Sequence, residues 1–275
     1  MRGHSSRLFL GGILWSDSVY FEGCKIVVGD DKKHVNEAGG DNAAEWLPPK
    51  MRDIDISIPY SNPPTDQLMD FYASWAEHYD TDLIDAYGYM APTDAVARMM
   101  TLGLPSDAHI LDAGCGTGQA GALLAAAGFT HIDGADLSPE MRDVAARLGV
   151  YKNLYHLDMT TDYAPQIAEV GGGNDGTYDA VICVGVFGYG PPHVEDLPRI
   201  MDAVHPGAPV LVTVNGKGWE KMGWDDNLMP VLDAAGVTLA ARTRIRHMVK
   251  EGVHAELLEL RWSSTPGQET MQIRN

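Results

Sequence analysis

The stretch Ile110-Leu111-Asp112-Ala113-Gly114-Cys115-Gly116-Thr117-Gly118 constrains this chain more than any other. An apolar run ends in an acid, glycine then takes every second position, and an Ala-rich apolar segment, residues 119–127, follows. Glycine is needed where φ is positive or where no Cβ fits, so the backbone of such a loop can lie directly against a ligand. The helix expected after it turns its unpaired N–H groups toward the same place, which favours an anionic group there. A strand, a glycine turn and a helix in this order predict a nucleotide-like ligand held at the turn.

The flanking sequence repeats the alternation. Strands are expected over 109–112, 131–136, 153–158, 178–184 and 209–215, with helices over 118–127, 140–148, 194–204 and 229–235. Ser138-Pro139 supplies an N-cap with proline at the first helical position. Gly171-Gly172-Gly173 is expected to turn the chain before the fourth strand. Two further extended runs, 238–248 and 254–262, read as an antiparallel pair turning at Lys250-Glu251-Gly252. The pattern predicts an α/β fold, a doubly wound and mostly parallel seven-stranded sheet with an antiparallel strand pair at the C-terminal end. Such sheets bind ligands at the carboxyl ends of their strands, where Asp112, Asp136 and Asp158 fall. One acid at a strand end caps a helix or forms a turn; three at matching strand ends point to ligation. Ahead of the sheet, Pro63-Pro64-Thr65 starts a helix expected to run to about residue 80, with Tyr72, Trp75 and Tyr79 on one face. A second helix is expected over 92–102.

Residues 1–50 lack sustained periodicity and carry Asp30-Asp31, Gly39-Gly40 and Pro48-Pro49. They are expected to form a poorly structured extension, leaving 51–275 as the functional domain with a helical lead segment over 64–102. The chain has 20 basic and 38 acidic residues, a net charge of −18. That balance repels phosphate backbones, and no Lys/Arg cluster offsets it, so nucleic acid is not an expected partner. Cys24, Cys115 and Cys183 are widely spaced, with no CxxC pair and no metal-ligand spacing, which suits a reducing cytoplasmic setting. No apolar run approaches the roughly 20 residues of a membrane span. The first 20 residues, with Arg2, Arg7 and an apolar run from Leu8 to Trp15, make a poor targeting segment.

The glycine loop satisfies two fingerprints. Gly116-Thr117-Gly118-Gln119-Ala120-Gly121 is a formal GxGxxG, and Asp136 follows Gly116 by 20 residues, the spacing of an NAD-type dehydrogenase. Against that reading, Asp112 immediately before the glycines would repel a pyrophosphate but can receive an ammonium group. Asp158 adds a further acid, and the loop lies behind a long lead segment. A non-catalytic, cofactor-binding regulatory protein is a third reading.

Leu111 to Gly118 resembles motif I of the class I S-adenosylmethionine-dependent methyltransferases. The resemblance continues through Asp136-Leu137-Ser138-Pro139-Glu140-Met141, His156-Leu157-Asp158-Met159, the run Tyr178 to Phe187, and Leu197-Pro198-Arg199-Ile200 followed by His205-Pro206-Gly207-Ala208. His205 and Ala208 depart from the commonest form of that turn. The resemblance covers about residues 64–262, and within the superfamily it is nearest to the Williams–Beuren-region methyltransferase-like proteins. It implies S-adenosylmethionine as cofactor. The backbone of Gly114, Cys115 and Gly116 would approach the methionyl part, and Asp112 would accept from its ammonium. Asp136 would take the ribose hydroxyls, Leu137 would lie against the adenine, and Asp158 and the Met159 backbone would meet the adenine edge. Val184 would meet the methionyl group, with Tyr72, Trp75 and Tyr79 closing the top. The expected acceptor is a small molecule, with a protein substrate as the alternative. Methyl transfer to an activated donor relies on alignment and exclusion of water rather than on a protein nucleophile. His193, beyond the fourth strand, is the candidate for deprotonating an acceptor, and Tyr189 and Asn215 are candidate acceptor contacts by position.

Overall fold

The structure, a computed structural model, describes residues 18–21, 24–27, 57–163, 165–166 and 177–263. The chain divides into two units, Met1–Trp46 and Leu47–Asn275. The described part of the first is a two-stranded antiparallel hairpin, Ser18–Phe21 against Cys24–Val27, with Ser18 opposite Val27. The rest of the expected extension and the glycine turn at 171–173 lie outside the described residues.

The second unit is built on a sheet of seven strands: β1 (His109–Ala113), β2 (His131–Asp136), β3 (Leu154–His156), β4 (Ala180–Phe187), β5 (Val210–Asn215), β6 (Val237–Met248) and β7 (Val253–Trp262). Their order is 3-2-1-4-5-7-6. The first five run parallel, and β7 lies antiparallel between β5 and β6. This is the doubly wound sheet with a terminal antiparallel pair that the sequence predicts. The central strands are apolar almost throughout because both faces are covered. Alternate residues enter different cores. Ala180, Ile182 and Leu211 pack with Ile110 of β1, Met99 of α3 (Ala91–Met100) and Leu124 of α4 (Gln119–Ala126). Val181, Cys183, Val210 and Val212 pack on the other face with Leu197, Ile200, Trp224 and Leu228. Strand order reverses at β1, between β2 and β4, so a crevice opens above its carboxyl end.

Several elements depart from expectation. The helix expected to reach residue 80 ends early, as α1 (Thr65–Trp75). A short turn leads to α2 (Tyr79–Asp82) and then a single π-helical turn, Leu83–Tyr87. In an unbroken helix Trp75 and Asp82 would stand about 10 Å apart along the axis. The break lets the Trp75 indole N–H donate to Asp82 Oδ2 at 2.9 Å, both groups buried. Strand β4 runs on past residue 184, because Gly185, at φ 76°, shifts its register against β5. The helix expected over 194–204 is a 3-10 helix, Val194–Ala203, with Pro198 inside it. The last helix begins earlier than expected, as α7 (Trp224–Ala235), and is preceded by an unforeseen α6 (Gly216–Lys221). Earlier in the chain, α5 (Pro139–Ala146) is capped by Ser138 as expected, the Ser138 hydroxyl accepting from Met141 N at 3.2 Å.

Two glycines disguise α6 in the sequence, and its start depends on Asn215, whose Oδ1 accepts from Lys217 N and Gly218 N at 2.9 and 3.2 Å. Gly218 lies against backbone: a Cβ there would sit 2.5 Å from the carbonyl carbon of Gly188. Gly218→Ala should therefore push α6 off the end of β4 and destabilise the domain by roughly 1–3 kcal/mol. In urea unfolding it should lower the midpoint at constant m; an unchanged midpoint would contradict this packing.

Candidate functional site

The glycine loop joins β1 to α4, and its three alternate glycines all have positive φ: 72° at Gly114, 52° at Gly116 and 96° at Gly118. Their surroundings differ. A Cβ on Gly114 would lie 2.2 Å from Val186 Cγ2, so this position is closed by packing. A Cβ on Gly116 would meet nothing within 4 Å, so its backbone faces open space. The loop is tied to the neighbouring strand. The amides of Gly114 and Cys115 donate to the Ala135 carbonyl at 2.7 and 2.9 Å. Gly116 N donates to Asp136 Oδ2 at 2.8 Å, and Ser138 N donates to Asp136 Oδ1 at 2.9 Å. Arg142, on α5, donates to the Asp136 carbonyl. Burial raises the Asp136 carboxyl above its ordinary range, opposed by the Ser138 and Gly116 amides and by Arg142.

Asp112 ends β1 and is almost fully buried. Its Oδ2 accepts from the Tyr151 hydroxyl at 2.7 Å. Burial outweighs that bond and one from the Gly121 amide, and lifts the carboxyl to about 7. Gly121 lies against the same tyrosine: a Cβ there would sit 2.2 Å from the Tyr151 hydroxyl. The last glycine of the formal GxGxxG is thus explained by room for Tyr151, with no pyrophosphate required. Asp158, after β3, accepts through Oδ1 from Thr160 N at 2.9 Å and Thr160 Oγ at 2.7 Å.

These groups share one cavity, which with its mouth encloses about 1030 Å³. Asp112, Gly114, Cys115, Gly116, Asp136, Leu137, Asp158, Met159 and Val184 line it, as do Tyr72 and Tyr79 from the lead segment. Trp75 does not: its indole is turned to Asp82 and it lines a neighbouring chamber instead. His193 lines neither space. It stands at the start of the 3-10 helix, where its N–H donates to Asp196 Oδ2 at 3.0 Å. Sequence reasoning missed Asp80, whose Oδ1 accepts from Gln119 Nε2 at 2.7 Å and from the Thr117 hydroxyl, latching α2 onto the glycine loop. An exposed bidentate pair, Arg147 to Glu77 at 2.8 and 2.6 Å, adds a second tether between α5 and the lead segment.

The neighbouring chamber holds about 780 Å³ including its mouth. It shares Tyr72, Tyr79, Tyr89, Gly185 and Val186 with the first cavity, and adds Tyr60, Trp75, Tyr87, Tyr189, Asn215 and His247. Among the described residues lining it there is no Lys, Arg, Asp or Glu. Burial also raises the hydroxyls of Tyr60, Tyr72, Tyr79 and Tyr89, so they stay un-ionised.

A polar cradle at the switch point of a doubly wound sheet, with a second chamber against it, is the arrangement expected of the class I methyltransferase fold. The comparisons agree. Residues 76–252 match the family model described as a methyltransferase domain, and the chain belongs to that family, the S-adenosylmethionine-dependent methyltransferases. It is 35% identical over 150 residues to human Methyltransferase-like protein 27, covering 54% of this chain and 57% of that protein, so it spans little more than half of that relative's length. The fold is similar to a TehB-like SAM-dependent methyltransferase from Corynebacterium glutamicum, with TM-score 0.51, 20% identity, and 70% and 99% of the two chains covered. It is also similar to a Haloferax volcanii methyltransferase solved with its Trm112 activator, with TM-score 0.54, 17% identity, and 72% and 98% covered.

Asp112 carries a testable sign. Its folded pKa, about 7, lies above the 3.8 of an exposed carboxyl, so between those values the folded chain binds more protons than the unfolded one. Its contribution to stability therefore falls as pH rises from about 4 to about 7 and stays low above that. Asp112→Asn removes the buried charge. It should raise Tm by roughly 3–6 °C at pH 8 and by much less at pH 5. Equal shifts at the two pH values in scanning calorimetry would show that the carboxyl is not protonated near neutrality.

Proposed function

We propose that the cradle binds S-adenosylmethionine and that the methyl group passes to a small-molecule acceptor in the adjoining chamber. The observation that carries this reading is the shared wall: a cavity lined by three acids and a glycine loop meets, at Gly185, Val186 and three tyrosines, a chamber with no charged side chain among its described lining residues. The open space over Gly116 is a place where a ligand can lie on the backbone, and its positive φ keeps the position a glycine. Asp136 spends one lone pair of each oxygen on Gly116 and Ser138. A carboxylate has about four acceptor sites, so each oxygen keeps capacity for a ribose hydroxyl. Asp112, at the inner end, suits an ammonium group, which would draw its carboxyl to the ionised form. Among the described residues no donor reaches Asp158 Oδ2, which suits the adenine amino group.

S-adenosylmethionine supplies a methyl group already activated by a sulfonium. The chain's task is alignment and exclusion of water. Asp80 holds the lead segment on the glycine loop, so Tyr72 and Tyr79 roof the junction of the two spaces. Among its described lining residues the chamber has no cation for a phosphate, and the net charge of −18 opposes nucleic acid. Both favour a small, uncharged acceptor over RNA, and with no acid among the chamber's described lining residues a basic peptide would find no partner there. Buried, unpaired Cys115 and Cys183 support a reducing, cytoplasmic setting.

Calorimetry with S-adenosylhomocysteine and with NAD tests the donor. The former should bind and the latter should not; the reverse would restore the dehydrogenase reading. Asp136→Ala should weaken S-adenosylhomocysteine by roughly 1.5–3 kcal/mol, and unchanged affinity would remove Asp136 from the site. A metabolite extract incubated with a labelled methyl donor tests the acceptor. Label recovered only on protein or RNA would overturn the small-molecule assignment.

A further inference from the structure

One side chain on the chamber wall has a polar atom with nothing to bond among the described residues. His247, on β6, is almost fully buried and lines the chamber, and among the described residues its Nδ1 has no hydrogen-bond partner. A buried polar atom left unpaired costs free energy and calls for an explanation.

The chemistry of this atom follows from its partner on the other side of the ring. Asn215 Oδ1 accepts from two backbone amides, Lys217 N and Gly218 N. That sets the orientation of the amide and leaves Nδ2 facing His247 Nε2 at 3.1 Å. Nδ2 can only donate, so Nε2 accepts. Burial lowers the His247 imidazole to about 4, so it is neutral at pH 7. A neutral imidazole has one N–H, and with Nε2 accepting, that proton is on Nδ1. The orphan is therefore a hydrogen-bond donor. It sits among rings: Tyr89 meets His247 edge to face with centroids 5.2 Å apart, and Tyr60 meets Tyr189 likewise at 4.8 Å.

We propose that the methyl acceptor is an uncharged aromatic molecule carrying a carbonyl oxygen or ring nitrogen that accepts from His247 Nδ1–H. The inference rests on the reading of the chamber as the acceptor site. The rings supply flat apolar walls, His247 supplies a donor fixed in direction by its ring, unlike the rotatable tyrosine hydroxyls around it, and the acceptor's nucleophilic atom would be presented at the wall shared with the cradle. Asn215 is a positioning residue: it selects the tautomer and touches no reacting atom. The absence of charged side chains among the described lining residues selects against a carboxylate or phosphate on this part of the molecule.

The test uses the full chain saturated with S-adenosylhomocysteine, whose own binding is measured first. Failure at that step would count against the cofactor cradle and not against the chamber. Three probes are then titrated: 4-hydroxyacetophenone, 4-isopropylphenol, which has the same outline without the carbonyl, and the anion 4-hydroxybenzoate. The ketone should bind about tenfold more tightly than either of the others, the scale of one hydrogen bond to a buried donor. In His247→Phe the preference for the ketone over 4-isopropylphenol should vanish while S-adenosylhomocysteine affinity is kept. Nuclear magnetic resonance of the unaltered, ¹⁵N-histidine-labelled protein gives a readout that needs no variant. The ring proton of His247 should be on Nδ1 and move downfield when the ketone is added. Equal binding of the two neutral probes, tighter binding of the anion, a preference that survives in His247→Phe, or a proton on Nε2 would each overturn the proposal.

Discussion

The carboxylate of Asp136 shapes the site. It receives the amide of Gly116 from the loop after β1 and the amide of Ser138 from the turn after β2. Two strand ends that would otherwise carry independent loops are thereby joined at one side chain. The loop then holds its run of positive φ angles, and the cavity gains a backbone floor at Gly116 that no side chain covers. Ser138, drawn in by the same carboxylate, caps α5, and that helix carries Arg142 back to the Asp136 carbonyl. Ionising a buried carboxyl is costly, and here two amides and a guanidinium offset part of that cost. The group that closes the loop retains acceptor capacity for a ligand.

Asp112 shows the opposite balance. Its one side-chain partner, the Tyr151 hydroxyl, cannot neutralise it, and burial leaves it titrating near neutrality. A chain selected only for stability would place an amide or an apolar residue there. Retaining a strained acid at the inner end of a polar cavity makes sense where a cationic ligand group completes the pair, because the ligand then recovers the electrostatic energy that folding forgoes. Gly121 is part of the same arrangement, since only a missing Cβ lets Tyr151 reach the acid.

The glycine-loop cradle was legible in the sequence and most of the adjoining chamber was not, for a physical reason. The cradle is made of short local devices: an acid at a strand end, a glycine loop, a serine cap before proline. Each occupies a few consecutive residues, and strand alternation places them together. The broken helix at 76–78 could not be read this way, because its periodicity is intact and the break depends on a tertiary bond from Trp75 to Asp82. That bond also takes Trp75 away from the cradle. Asp80 gave no signal, since its partners Thr117 and Gln119 lie 37 and 39 residues away. His193 looked chemical on a loop, but the 3-10 helix that starts beside it uses its backbone and leaves it outside both cavities. Tyr189, beyond the fourth strand, and Asn215, at the end of the fifth, were legible as positions, and both line the chamber.

His247 shows what kind of information a linear reading lacks. On β6 it is one more residue in a long edge strand. Its meaning comes from Asn215, 32 residues earlier, and Asn215 has its meaning only because α6 starts there and uses its oxygen twice. A helix start thus decides an amide orientation, the amide decides a tautomer, and the tautomer decides that the chamber offers a donor. Replacing Asn215 by a group that accepts would move the proton to Nε2 and present a lone pair to the ligand instead. On the proposed reading of the chamber, acceptor preference would be set from a position that does not touch the reacting atoms, and two chains with the same cradle would differ in substrate through this one pair.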